Sequence, residues 1–312
     1  MRRSVARKIN RKNRTPLRKG DVIFYVALIA LPLVQIAIFY FGVNFQSILM
    51  AFQKSVDGVF IFDIGPNWNK FVADINTKEF WVMIKNSILV YIFTSLSGTV
   101  LATIFSYYIY KRRTLSNLFK FVLFIPSILP GILLVVMFQM FVSSGVPAYA
   151  DLLFGIKMPD YFSTDFATSD IRFILVTIFS IWISFGGQVL IYTAAMDQIP
   201  NEIIEAGKLD GTTSFTEFIH IILPSILATV GTFLIVGIAS IFTNQNNLFS
   251  FFRPKDMQNT EYTFGYYMFS IVYSGGAGSS GYCYAAFLGL LTTSIVAPLT
   301  LLARKLLSKV TS

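Results

Sequence analysis

The stretch EIIEAGKLDGTTSFTEFIHIILPS, residues 202–225, decides how the rest of the chain is read. Glu202, Glu205, Asp210 and Glu217 stand against the single Lys208, so the segment belongs in water. Long apolar runs nevertheless flank it on both sides. Of the 312 residues, 54% are hydrophobic and only 13% charged, about half the charged share of a soluble domain. The charges are clustered: residues 22–53, 86–110, 121–150 and 173–196 carry none, and 218–252 and 262–303 none apart from His220. A helix needs roughly 20 mostly apolar residues to cross a bilayer. The fold class that follows is an all-α polytopic membrane protein.

Six spans are expected, at about 22–45, 86–110, 119–142, 172–196, 222–244 and 283–304. A seventh at 264–273 would be ten residues long, too short to cross. The chain then divides into a basic arm at 1–21, a first transmembrane helix with an extracytoplasmic loop at 22–84, a transmembrane domain at 85–305 enclosing the loop 197–224, and a tail at 306–312. With the N-terminus in the cytoplasm, 17 of the 25 Lys and Arg fall inside, which favours both termini there. Nine of them crowd into residues 1–19, an arm that orients the first span and touches anionic lipid rather than nucleic acid. The first apolar run is too long for a signal core and lacks a small-x-small cleavage site, so a retained anchor is expected. Pro126, Pro130 and Gly131 bend the third span. Either that bend faces the bundle interior, where freed backbone groups find partners, or it is an ordinary kink at a packing contact.

By parity the loop 197–224 faces the cytoplasm. Pro200 suits the first turn of a helix and Gly211 the position just past its end. Ile203, Ala206, Gly207 and Asp210 share one face, made nearly flat by the small pair in the middle. Ser214 to Glu217 fits a capping box opening a second short helix, with an apolar stripe of Phe215, Phe218, Ile219 and Ile222. Pro224 marks entry into the fifth span. Two readings stand on this pattern: a surface on which another protein docks, or a lid that closes its own bundle.

Chemistry of other kinds finds no residues. A lone Cys283 and a lone His220 leave no disulfide and no His/Cys metal site. No Walker phosphate loop is present, since AGKLD lacks both the earlier glycine and the hydroxyl after the lysine. SGGAGSSGY at 274–282 lacks the lysine too and reads as a flexible turn. The expected spans hold no Asp, Glu, Lys or Arg away from their ends, unlike an ion-coupled carrier. A charge-free route suits a neutral, hydroxyl-rich solute. Trp182, Tyr192, Asn244, Gln245 and Asn246 are the polar or aromatic groups that could line it, although aromatic side chains also form membrane belts and cores.

Glu205-Ala206-Gly207, three residues, Gly211, nine residues and Ile221-Ile222-Leu223-Pro224 together resemble the EAA motif of ABC-importer permeases. Gly207 replaces an alanine of the family pattern. Likeness extends over about 85–305. LFKFVLFIPSILPGILLVVMFQMFV, IWISFGGQVLIYTAAMDQIPNEIIEAGKLDG and GYCYAAFLGLL resemble the carbohydrate-uptake branch, related to maltose and multiple-sugar permeases. NQNNLFSFFRPKDMQNT departs from that branch's outer turn. The resemblance implies a MetI-like fold in which the EAA loop is a coupling helix seated in a cytoplasmic ATPase. Glu205, Ala206, Gly207, Asp210, Gly211, Leu223 and Pro224 would carry the coupling. It further implies a second homologous permease, an ATPase dimer holding the ATP and magnesium, an extracytoplasmic solute-binding protein that engages 54–82, 143–170 and 245–282, a carbohydrate solute, and a bacterial inner membrane. This chain would itself bind no cofactor. An importer of amino acids, polyamines or peptides, an ion-coupled carrier, and a membrane scaffold without a pathway are the alternatives.

Overall fold

In a computed structural model, the structure describes residues 19–162, 169–252, 261–275 and 280–311. The basic arm up to Arg18, and parts of the 143–170 and 245–282 segments, therefore lie outside the described residues. Among those described, six helices are long and apolar enough to cross a membrane: α1 (Gly20–Met50), α3 (Lys78–Tyr110), α5 (Gly131–Phe154), α6 (Asp170–Met196), α8 (Ser214–Ala239) and α11 (Ser280–Val310). Between them lie α2 (Gly65–Ile75), α4 (Ser116–Ile128), α7 (Asn201–Leu209), α9 (Leu248–Phe251) and α10 (Phe264–Gly275). Successive crossings place the α6–α8 connection on one side, the loop side. The connections after α1, α5 and α8 fall on the other, the far side.

The third span differs from expectation. It is not one bent helix over 119–142. Pro130 forces Leu129 into extended backbone (ψ 147°), because a residue before proline clashes in the helical region, and the chain divides into α4 and α5. The crossing helix is α5, which runs on to Phe154 through residues expected to be loop. Leu129 packs in the same cluster as Ile183, near the middle of α6. Its flanks, Ile128 and Ile132, are exposed.

The core is built on α6. Gly186 lets α4 pass so closely that an added Cβ would stand 2.4 Å from the carbonyl oxygen of Leu123. Ser106 Oγ of α3 donates to the Val189 carbonyl at 2.9 Å. Val189, Tyr192 and Met196 join Ala102, Ile222 and Ile226 in one fully or nearly fully buried cluster. A second cluster, with Phe179 and Val176 of α6, gathers Leu248, Phe251 and Tyr266 on the far side. By contrast, the apolar window of α1 has none of its residues buried.

The far-side segment 51–77 folds rather than forming open loop. An antiparallel hairpin pairs β1 (Gln53–Val56) with β2 (Val59–Phe62), in the register Val56↔Val59. Asp57 and Gly58 take positive φ of 50° and 82°, the conformation that two-residue hairpin turns demand. Asn67 of α2 holds the hairpin by donating to the carbonyls of Ala51 (3.2 Å) and Gln53 (2.9 Å). Tyr267 and Tyr284 each donate a hydroxyl hydrogen bond to Asp74 Oδ2 at 2.5 Å, tying α2 to α10 and α11. Burial first, and then the Asp74 carboxylate, push the Tyr267 phenol well above its ordinary pKa.

Candidate functional site

On the loop side, α7 is a nine-residue helix that connects two spans. Pro200 is its N-cap (ψ 134°) rather than its first helical residue, since the extended ψ turns the chain out of α6. Gly211 ends it at φ +75°, a conformation that costs a residue with a Cβ about 1–2 kcal/mol. The last turn is closed by Thr212, whose N–H and hydroxyl both donate to the Gly207 carbonyl at 3.1 and 2.8 Å. Orphan carbonyls at a helix end are thus satisfied within the loop.

Of the face expected to be flat and free, the structure leaves Ile203, Ala206 and Asp210 exposed but buries Gly207. Gly207 is buried together with Ile204, and a Cβ at 207 would come within 2.6 Å of Ile221 Cδ1. Gly207 is therefore where α7 seats on its own chain. Glu205 and Ala206 do face outward, with Glu202, Ile203, Lys208, Leu209 and Asp210. Leu209 is 89% exposed and Phe215 is 75% exposed. Leu209 did not stand out in the sequence, and Phe215, expected to open an apolar stripe with Phe218, Ile219 and Ile222, is instead exposed.

The second short helix is not separate. Residues 214–217 are the first turn of α8, which continues through a π-helical turn, Phe218–Ile222, into the span. Pro224 follows that turn and has no N–H to give, so the ladder shifts just ahead of it. Leu223 is half-buried and Pro224 exposed. The cap is Thr213, whose Oγ1 accepts from the Thr216 N–H at 3.3 Å, and not Ser214. Glu217 consequently does not reach back to a cap. It is buried and ion-paired with Lys111 at the end of α3. Tyr107, one turn earlier, donates its hydroxyl to the Ser214 carbonyl at 2.9 Å and packs its ring 4.9 Å from that of Phe218. The base of the loop is thereby fixed to α3, a contact 106 residues distant in sequence from Glu217 to Lys111 that no local pattern reveals.

The five residues considered for a solute pathway separate into three environments. Trp182 is half-exposed, its ring 6.0 Å from Phe179. Tyr192 is fully enclosed, its ring 5.5 Å from Phe233. Asn244, Gln245 and Asn246 lie beyond the end of α8 on the far side. Asn244 is exposed, and its Oδ1 accepts from the Asn246 N–H at 2.8 Å. Gln245 is half-buried, while Asn246 is buried and donates to Thr177 Oγ1 at 3.2 Å. The structure does not bring the five into one cleft.

Over residues 95–311 the chain matches the family described as binding-protein-dependent transport system inner membrane component. It is 23% identical over 280 residues to the multiple sugar-binding transport system permease protein MsmF of Streptococcus mutans, covering 89% of this chain and 93% of that one. It is also 23% identical to the arabinooligosaccharides transport system permease protein AraP of Bacillus subtilis, over 83% of this chain and 80% of that one. With the maltose/maltodextrin transport system permease protein MalF of Vibrio parahaemolyticus it shares 24% identity over 61% of its length, but spans only 37% of that longer protein. Among solved structures, a chain of a bacterial alginate ABC transporter, in complex with alginate pentasaccharide-bound periplasmic protein, superposes with a TM-score of 0.77 at 18% identity. That likeness covers 94% of this chain and 96% of the other. At such identity it establishes the fold.

Proposed function

We propose that this chain, which belongs to the family of binding-protein-dependent transport system inner membrane components, is the membrane-spanning subunit of an ATP-driven importer for a sugar or oligosaccharide. The observation that carries the proposal is α7: a rigid, capped helix with its base fixed to α3 and its outer face, including Glu205, Ala206 and Leu209, left uncovered. Apolar side chains so exposed on a polar loop are what a docking surface presents. In this reading α7 sits in a cleft of a cytoplasmic ATPase. Glu205 accepts a polar contact from it, Ala206 permits close approach, and Asp210 and Gly211 set the angle of the helix. Gly207, Leu223 and Pro224 act from beneath, by seating the loop on its own span. A seated helix transmits ATP-driven closure when the spans have two arrangements to choose between.

The other parts follow the same reading. ATP and magnesium belong to the ATPase dimer, and this chain holds neither. A second permease completes the pathway, and an extracytoplasmic binding protein delivers the solute. The membrane is the bacterial inner membrane with both termini in the cytoplasm, supported by 17 of 25 basic residues on that side. A sugar is supported by the substrates named for MsmF, AraP and MalF, and by spans without central charges. The exposed break between α4 and α5 supports a pathway beside it, because non-helical backbone at membrane depth survives only against protein or water. Trp182, Asn244 and Gln245 are the candidates for solute contact with side chains still open, whereas Tyr192 and Asn246 would first have to move. Solute uptake in cells tests the coupling. Glu205→Lys and Gly211→Val are expected to abolish it at wild-type membrane levels, and normal uptake by both would refute the role of α7.

A further inference from the structure

Helices α3 and α6 run in the same direction across the membrane and separate toward the far side. They touch where Gly98 meets Ser184, an added Cβ there standing 3.4 Å from the hydroxyl oxygen, and again at Ser106 and Val189. Beyond that contact they diverge around a groove of about 620 Å³. Its walls are Leu89 and Phe93 on one helix and Phe173, Ile174, Ile178 and Ile181 on the other. At its far-side mouth stand one cation, Lys85, and one anion, Asp170. Among the described residues neither forms an ion pair within 4.0 Å. The two polar groups deeper in the groove are already engaged. Asn86 donates to the Tyr262 carbonyl at 3.0 Å, and Thr177 accepts from Asn246 while donating to the Phe173 carbonyl at 2.8 Å.

We infer that this groove holds a zwitterionic phospholipid of the far-side leaflet, with its phosphate at Lys85, its ammonium at Asp170 and an acyl chain along the walls. Length supports this: at 1.5 Å per residue, Lys85 to Phe93 spans about 12 Å and Asp170 to Ile181 about 16 Å. One leaflet of hydrocarbon is roughly 15 Å deep. Charge supports it as well, since an anionic head group would meet Asp170 and a cationic one Lys85, while a head group bearing both charges satisfies both. A protein helix is the poorer occupant. Helix interfaces in membranes use small residues and shared polar groups, and this wall offers branched and aromatic side chains with its polar groups already spent.

The test is native mass spectrometry of the full chain, purified with its co-expressed partner subunits after equilibration in vesicles of equal parts phosphatidylethanolamine and phosphatidylglycerol. One phosphatidylethanolamine per chain should be retained, enriched roughly fivefold over phosphatidylglycerol, the discrimination expected of one charge at a head group, here Asp170, which pairs with the ammonium and repels a head group of net negative charge. Lys85→Gln should lower that retention roughly fivefold. Ile174→Trp, which fills the groove from an exposed position, should evict the lipid, whereas Lys78→Gln, outside the groove, should leave it in place. Equal retention of the two lipids, or a lipid that stays bound to Ile174→Trp, would overturn the inference. So would a crosslink from a photoreactive group at Ile178 that goes to a partner subunit instead of to lipid.

Discussion

The loops on either side of the fifth span treat their polar groups in opposite ways. On the far side, the segment after α8 is stitched to its own bundle. Asn246 and Asn247 take left-handed backbone (φ 51° and 58°) and donate to Thr177 and Ser180 of α6 at 3.2 and 3.0 Å. Arg172 and Glu261 close the stitch as a buried ion pair at 2.6 Å. The loop before α8 is fixed at its base, through Lys111–Glu217 and Tyr107–Ser214, and from beneath by buried Ile204 and Gly207. Its outer half presents Glu205, Ala206 and Leu209 without a partner of its own among the described residues. One loop satisfies itself, while the other is complete only against something else. Stability should therefore depend on the first loop, and function on the outer face of the second.

The largest effect is expected at the self-satisfied loop. Glu261→Ala leaves the Arg172 guanidinium buried without its counter-charge, a loss of about 3–5 kcal/mol. The tagged chain should then fail to accumulate as a monodisperse peak in detergent size-exclusion chromatography. Glu217→Ala should cost less, about 2 kcal/mol, because the Lys111 side chain keeps 19% of its surface in contact with solvent. A thermal-shift assay would register it as a lowered midpoint rather than as absence. Asn247→Ala removes both a hydrogen bond and a residue at ease with positive φ, about 1–2 kcal/mol together. Asn247→Gly keeps the backbone and should recover part of that loss; equal losses in the two variants would contradict the backbone half of the account. Gly207→Ala is expected to cost under about 1 kcal/mol. Only the flexible end of Ile221 must move, whereas Gly207→Leu should unseat α7.

How far the sequence reached can be read from these same residues. Charge-free runs located all six spans, because lipid penalises charge wherever it falls. The EAA spacing located α7, since Pro200 and Gly211 mark its ends by backbone chemistry alone. Most of the outward side of α7 was legible, since Ile203, Ala206 and Asp210 are exposed as their shared face predicted; that Gly207 turns inward was not, because only the position of Ile221 decides it. The partner of Glu217 was missed for a similar reason. A local cap was the available explanation, and Lys111 comes near only after α3 and α8 have packed. The break at Leu129–Pro130 was expected as a bend, because proline announces a disruption without announcing its size. The hairpin at 53–62 carried its signal in Asp57-Gly58, an aspartate–glycine pair between short apolar runs, and was passed over as loop.

The claim that the outer face of α7 is a docking surface, and not a lid over its own bundle, is tested most directly at Leu209. Nearly all of that side chain is exposed, so Leu209→Asp should leave the thermal midpoint of the purified chain unchanged. The measurement is mild-detergent purification of the tagged wild type and of Leu209→Asp from the native membrane, with quantification of a Walker-motif ATPase in each. The account predicts that the ATPase accompanies the wild type and is lost from a variant that is otherwise as stable and as abundant. Equal recovery of the ATPase with both, or its absence from the wild type even after crosslinking, would contradict it.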